Sequence, residues 1–277
     1  MAGIWYREQK HICGKSYDTA PYMEVDLYAV SAAKHHSSRR AKRKEASTLA
    51  QQTYNDKRAK RYHVQLVNTN FGKQDYSWTG TYTDENLPAS SEQADRDWSN
   101  FVKRVYRWCD RHGVQRPKWV EATEYATEQP DGSTVGRHHH HAIIQHTAGL
   151  SRDTLEELCG KGLARCEKLM VDHGSVEGLV RYICKNRRCA RSWRQSRGLE
   201  KPKTPAPNDS KWSRKKLEEA STLYIDDREY WEKLYPRYTL NRVEAAISAA
   251  GYRHTLVLLR RAEFRTAGEK VNGRRNL

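Results

Sequence analysis

Gly136-Arg137-His138-His139-His140-His141-Ala142-Ile143-Ile144 carries four consecutive histidines straight into small and apolar residues. Side chains alternate between the faces of a strand, so this stretch sends His139 and His141 to one side and His138 and His140 to the other. One such pair of imidazoles suits a single divalent metal ion. A purification tag runs into linker residues at a chain end, whereas this run leads into the buried-looking Ala142-Ile143-Ile144. The histidines therefore belong to the fold.

Outward from this strand, Lys118 to Tyr125 alternates enough to be a second strand, and Gln129-Pro130-Asp131-Gly132 is a strong turn signal between the two. Together they predict a long hairpin. Further upstream, Tyr76-Ser77-Trp78-Thr79-Gly80-Thr81-Tyr82 has the aromatic and β-branched content of a strand, which Leu87-Pro88 closes. Asp95 to Arg111 follows as an amphipathic helix: Trp98, Phe101, Val102, Val105 and Trp108 form its apolar face, and Lys103, Arg104 and Arg107 lie opposite. Downstream come a helix after Ser151, a short segment from Leu163 to Val171, and a helix capped by Ser175 that runs through Tyr182 to Lys185. Tyr182 and Lys185, three apart, share one helix face.

The flanks are less patterned. Residues 1 to 30 contain aromatics without a clear period, and residues 34 to 61 read as an exposed basic helix in which Arg39, Arg40, Lys42, Arg43 and Lys44 cluster. That cluster is either a solvated face or an arm on the DNA backbone. Lys201-Pro202-Lys203-Thr204-Pro205-Ala206-Pro207-Asn208 reads as a linker, Lys211 to Tyr235 and Val243 to Ala250 as helices, and Tyr252 to Leu259 as a last strand before a basic tail. The expected organisation is a basic, largely helical arm over 1–61, a core over 62–197, a proline-rich linker over 198–211 and an α/β extension over 212–277. The fold class is α+β, with a central antiparallel sheet and helices packed over it.

Lysine and arginine total 50 against 34 acidic residues in 277, a net charge of +16 that favours polyanion binding through phosphate contacts. Apolar runs reach about five residues, far short of the roughly 20 that span a bilayer. No basic segment followed by an apolar core marks a secretory signal, so a soluble, cytoplasmic protein with no membrane partner is expected. The six cysteines lack the tight pairs of zinc ribbons, and Gly14-Lys15-Ser16 lacks the earlier glycine of a nucleotide-binding loop, since Gln9 stands there.

Three signals in the order Thr79-Gly80-Thr81-Tyr82, Gly136-Arg137-x-His139-x-His141 and Tyr182-x-x-Lys185 resemble the rolling-circle replication initiators of the HUH endonuclease class, of the phage and plasmid type. Thr79 to Pro88 is similar to the family's first motif, TLTYxDExLP, with Gly80 in place of the usual apolar residue. Phe101-Val102-Lys103-Arg104 resembles its following helix, Glu124-Tyr125 its Glu-Tyr pair, and His254 to Arg261 its late basic strand, so the resemblance spans roughly residues 57 to 262. Relaxases of the same class place the tyrosine before the histidines. The resemblance implies a ferredoxin-like core and a bacterial host cell.

Cutting and rejoining DNA requires a nucleophile, a leaving group and neutralisation of charge developing on phosphate oxygens. A metal held by His139 and His141 with open coordination positions meets the last need. Glu124 is the expected third ligand, matching the family's carboxylate on the neighbouring strand, whereas Glu121 has the opposite facial parity. Such a set suits Mg²⁺ or Mn²⁺. The resemblance implies that Tyr182 attacks phosphorus to give a 5′-phosphotyrosine and a free 3′-hydroxyl, with Lys185 assisting. Arg137, Lys103 and Arg104 are the expected DNA contacts, Arg137 being either a phosphate ligand or a solvated surface residue.

His138 and His140 read as packing or phosphate-facing residues. Gly178 and Asn186 flank Tyr182 at one-turn spacing, so a single-tyrosine cycle is expected, with a second protomer on DNA or another route completing termination. The implied partners are single-stranded origin DNA, a host helicase and a DNA polymerase. The neighbouring reading is a transposase or relaxase-like strand-transfer enzyme; the reading from another class is a noncatalytic DNA-binding protein on the same fold.

Overall fold

In the computed structural model, residues 3–31, 49–128, 134–171, 175–183, 193–247 and 253–261 are described. The chain is α+β and divides into two units, one made of residues 58–172 and 176–200, the other of 1–57, 173–175 and 201–277. Among the described residues, no helix is long and apolar enough to cross a membrane.

The unit that carries the histidines is built on a five-stranded antiparallel sheet. Its strands are β3 (Tyr76–Tyr82), β4 (Trp119–Glu124), β7 (His139–Ile144), β8 (Gly162–Lys168) and β9 (Arg194–Gln195), in the order β8-β3-β7-β4-β9. The predicted hairpin joins β4 to β7 and continues through the short pair β5 (Thr127–Glu128) and β6 (Thr134–Val135). Its predicted turn, Gln129 to Gly132, lies outside the described residues.

Strict alternation in β3 buries Tyr76, Trp78, Gly80 and Tyr82 and leaves Ser77, Thr79 and Thr81 half-buried on the other face. Helix α2 (Ser91–His112) supplies the facing layer. Ser90 caps it by accepting from Gln93 N at 3.2 Å, and Gly113 ends it in the left-handed conformation at φ 66°. Trp98, Phe101, Val105 and Cys109, three and four apart, share one core with Trp78, Ala142, Ile144 and Leu155. Trp78 stacks on Phe101 at 4.4 Å between ring centres, and Trp98 meets Trp119 edge-on at 5.2 Å. Helices α1 (Leu49–Asn70), α3 (Arg152–Glu157) and α4 (Glu177–Ile183) complete the helical elements here.

The second unit differs most from the sequence reading. Residues 4–31 are not part of a helical arm: β1 (Ile4–Cys13) and β2 (Tyr22–Ser31) are paired strands. With β10 (Asn208–Trp212), β11 (Tyr238–Ile247) and β12 (Arg253–Arg261) they form a second antiparallel sheet, ordered β10-β1-β2-β12-β11. The physical reason is visible in Met23, Val25 and Leu27, which alternate with Glu24 and Asp26 and bury their side chains against Val257, Leu259, Trp231 and Tyr235.

The expected linker is likewise tied down, since Ile12 and Lys203 exchange backbone hydrogen bonds of 2.8 and 2.9 Å and Asn208–Trp212 pairs with β1. Lys211 to Tyr235 resolves into α5 (Arg214–Ala220) and α6 (Arg228–Leu234) separated by a turn. The stretch expected to be helical from Val243 is instead strand β11, while the predicted last strand is β12. The cluster from Arg39 to Lys44 lies outside the described residues. The expected boundary at residue 62 falls inside α1.

Candidate active site

Two rows of residues cross the sheet at the histidines. Thr81, His139 and Glu124 stand in register across β3, β7 and β4, and so do Thr79, His141 and Ala122 one pleat along. Because facing residues in register share a side of the sheet, His139, His141 and Glu124 lie on one face, away from α2. The two imidazole centres are 6.3 Å apart. Thr81 Oγ1 is 3.2 Å from His139 Nδ1 and Thr79 Oγ1 is 3.3 Å from His141 Nδ1, so each ring is held on its Nδ1 edge. His141 Nε2 faces Glu124 Oε2 at 3.5 Å. Burial holds His141 below its ordinary pKa, partly offset by Glu124, which keeps the imidazole neutral at pH 7.

The opposite face is closed by hydrogen bonds. Both nitrogens of buried His140 are engaged, Nε2 with the Tyr82 hydroxyl at 2.8 Å and Nδ1 with Glu121 Oε1 at 2.9 Å. Arg194 clamps Glu121, donating from Nε to Oε2 at 2.8 Å and from Nη2 to Oε1 at 2.9 Å. Its Nη2 also donates to Thr123 Oγ1 at 2.6 Å, and its Nη1 pairs with Asp95 at 2.9 Å. Burial alone would raise the Glu121 pKa; the hydrogen bonds and charges of His140 and Arg194 outweigh it and keep the carboxylate ionised. Glu121 thus has the facial parity expected of it and belongs to the support beneath β7. His138 is also buried, its Nδ1 3.4 Å from Ala126 N. Arg194 was not legible as a site residue, since it lies 73 positions from Glu121 with no local signal.

The remaining candidates are dispersed. Exposed Arg137 pairs with Asp84, and Lys103 is exposed on α2. Arg104 departs from its expected role: it donates to Leu158 O at 2.9 Å and Cys159 O at 2.5 Å, tying α2 to the segment after α3. The unsatisfied carbonyls at that helix end are the physical reason. Tyr182 falls in the last turn of α4; its side chain, together with Lys185 and Asn186, lies outside the described residues. Among the described residues, Cys13, Cys109, Cys159 and Cys166 are free thiols.

The donor set fits a hard or borderline divalent ion: two imidazoles and one carboxylate share a face, with coordination positions left for water or phosphate oxygens. Two ligands each about 2.1 Å from an ion stand about 3.0 to 3.4 Å apart, close to the spacing of His141 and Glu124. Among the described residues, no three histidine, cysteine or acidic side chains are gathered tightly enough to form a finished site, so the set closes only as side chains move.

No curated protein and no solved structure matches the chain significantly. A family model does match, over a narrower span than residues 57 to 262, and it takes in Thr79 to Tyr82, His139, His141, Tyr182 and Lys185. Residues 75–187 match the family of the replication-associated protein ORF2, which places this segment of the chain in a rolling-circle replication initiator family.

Proposed function

We propose that the chain starts rolling-circle replication as a metal-dependent endonuclease and strand transferase, cutting one strand of its own origin DNA and holding the cut end on Tyr182. The observation that carries this reading is the register setting Glu124 opposite His139 with His141 on the same face, inside the segment that matches an initiator family. Mg²⁺ or Mn²⁺ held by His139, His141 and Glu124 would supply Lewis acidity at the scissile phosphate.

The phenolic oxygen of Tyr182 attacks phosphorus and the bond from phosphorus to the 3′ oxygen breaks. The phenolic proton goes to water, and the departing oxygen takes a proton to become a free 3′-hydroxyl for a polymerase to extend. The ordinary tyrosine pKa near 10 makes this proton loss costly at neutral pH. The cation of Lys185, one turn along, lowers that cost and neutralises charge building on the phosphate. Lys103 and Arg137 contact DNA phosphates beyond the scissile one, Arg137 exchanging Asp84 for them. Attack by a 3′-hydroxyl on the phosphotyrosine reverses the step and reseals the strand. Single-stranded origin DNA is the substrate, with a host helicase and polymerase as partners and a second protomer on DNA for termination.

The test is a denaturing-gel assay of single-stranded DNA from the chain's own replicon with Mn²⁺ or Mg²⁺. Wild-type protein should cut at one position, and His139→Ala/His141→Ala and Tyr182→Phe should cut no faster than buffer. Wild-type cutting rates in Tyr182→Phe would remove Tyr182 from its role, and tight binding without any cutting would favour the noncatalytic reading.

A further inference from the structure

We propose that Thr79 and Thr81 are positioning residues for the metal pair, their hydroxyls holding the Nδ1 edges of His141 and His139 so that Nε2 of each ring is the ligand atom. The inference rests on the metal reading above and deepens it. The contacts form a repeat: 3.3 Å from Thr79 to His141 and 3.2 Å from Thr81 to His139, on successive rows of the same strand pair. For His141 the consequence is direct, because its Nε2 then faces Glu124.

The strand itself does not require hydroxyls at these positions. Valine has the same β-branched shape and an equal preference for strands, and the core side of β3 is already filled by Tyr76, Trp78 and Tyr82. What a hydroxyl adds is a partner that both donates and accepts. When an ion takes Nε2, the ring proton resides on Nδ1, and the threonine oxygen accepts it. Ligating histidines generally donate their second N–H to such a partner, and losing that partner lowers metal affinity about 10- to 100-fold. His140 shows the contrast, since Tyr82 and Glu121 occupy both of its nitrogens and leave no ligand atom.

The experiment titrates Mn²⁺ into the full, metal-free chain without DNA and reads free Mn²⁺ by electron paramagnetic resonance. Thr79→Val/Thr81→Val should bind Mn²⁺ about 10- to 100-fold more weakly than wild type with an unchanged urea midpoint, and Thr79→Ser/Thr81→Ser should restore the affinity. Wild-type affinity in the valine protein, with wild-type binding still abolished by His139→Ala/His141→Ala, overturns the threonine role alone. Wild-type protein whose Mn²⁺ binding does not depend on the histidines overturns the metal reading and this inference with it. If the double valine protein does not fold, each single valine variant decides the question by the same titration.

Discussion

Arg194 bears on the site without facing it. Its bidentate clamp on Glu121 fixes the carboxylate that in turn fixes His140, the residue between the two outward histidines. Glu121 is fully buried, so Arg194→Met leaves an uncompensated charge in the core and should cost about 3 to 5 kcal/mol of unfolding free energy, measured by urea denaturation. Removing the charge as well, in Glu121→Gln/Arg194→Met, should cost less than the sum of the two single changes. Gly80 is a second case. A Cβ there would lie 2.3 Å from the Trp78 ring, so the indole already occupies the space that an apolar side chain would fill. Gly80→Ala should destabilise the protein by about 1 to 3 kcal/mol, and a smaller residue at Trp78 in the same protein should recover part of the loss, read from the same denaturation curves. The departure from the initiator motif is thus a local exchange of volume between neighbouring positions of one strand face.

At the level of elements, the site depends on register. A slip of one residue between β4 and β7 would put Glu124 on the α2 side and Glu121 among the outward histidines. Helix α2 holds the inner face against such a slip by packing Trp98 on Trp119 and Trp78. Its start is fixed by Ser90, so Ser90→Ala should cost about 1 kcal/mol, measured as a lower urea midpoint with an unchanged slope. Much of this was legible in the sequence. The parity of His139 and His141, the hairpin, the apolar stripe of α2 and the exclusion of Glu121 from the outward face all follow from periods of two and of 3.6. What was not legible was long-range. Nothing near Arg104 announces that its guanidinium ends on the carbonyls of Leu158 and Cys159, and no spacing links Thr79 and Thr81 to particular imidazoles.

Across the whole molecule, the second sheet was the least legible part, because it joins strands near the start of the chain to strands more than 170 positions later. The alternation in Tyr22 to Tyr28 was a readable strand signal, but its partners lay beyond what looked like a linker. Glu8 joins these distant pieces, accepting from Trp212 Nε1 at 3.0 Å and the Tyr235 hydroxyl at 2.7 Å and pairing with Lys211 at 2.8 Å. Burial alone would raise its pKa, but these hydrogen bonds and the Lys211 charge lower it. The stabilisation is therefore complete above the unfolded carboxylate value of about 4.3 and is lost as pH falls through the lower folded value. Between pH 7 and pH 3, wild type should lose more unfolding free energy than Glu8→Gln, measured by urea melts at both pH values. The chemistry assigned to the molecule is tested most directly by digesting the protein–DNA product with nuclease and trypsin and mapping the residual nucleotide by mass spectrometry. Trypsin cuts after Arg181 and Lys185, and the nucleotide mass should sit on Tyr182-Ile183-Cys184-Lys185, joined through the tyrosine. A nucleotide on any other tyrosine, or cleaved DNA with no nucleotide on the protein, would contradict Tyr182 as the residue that holds the cut strand.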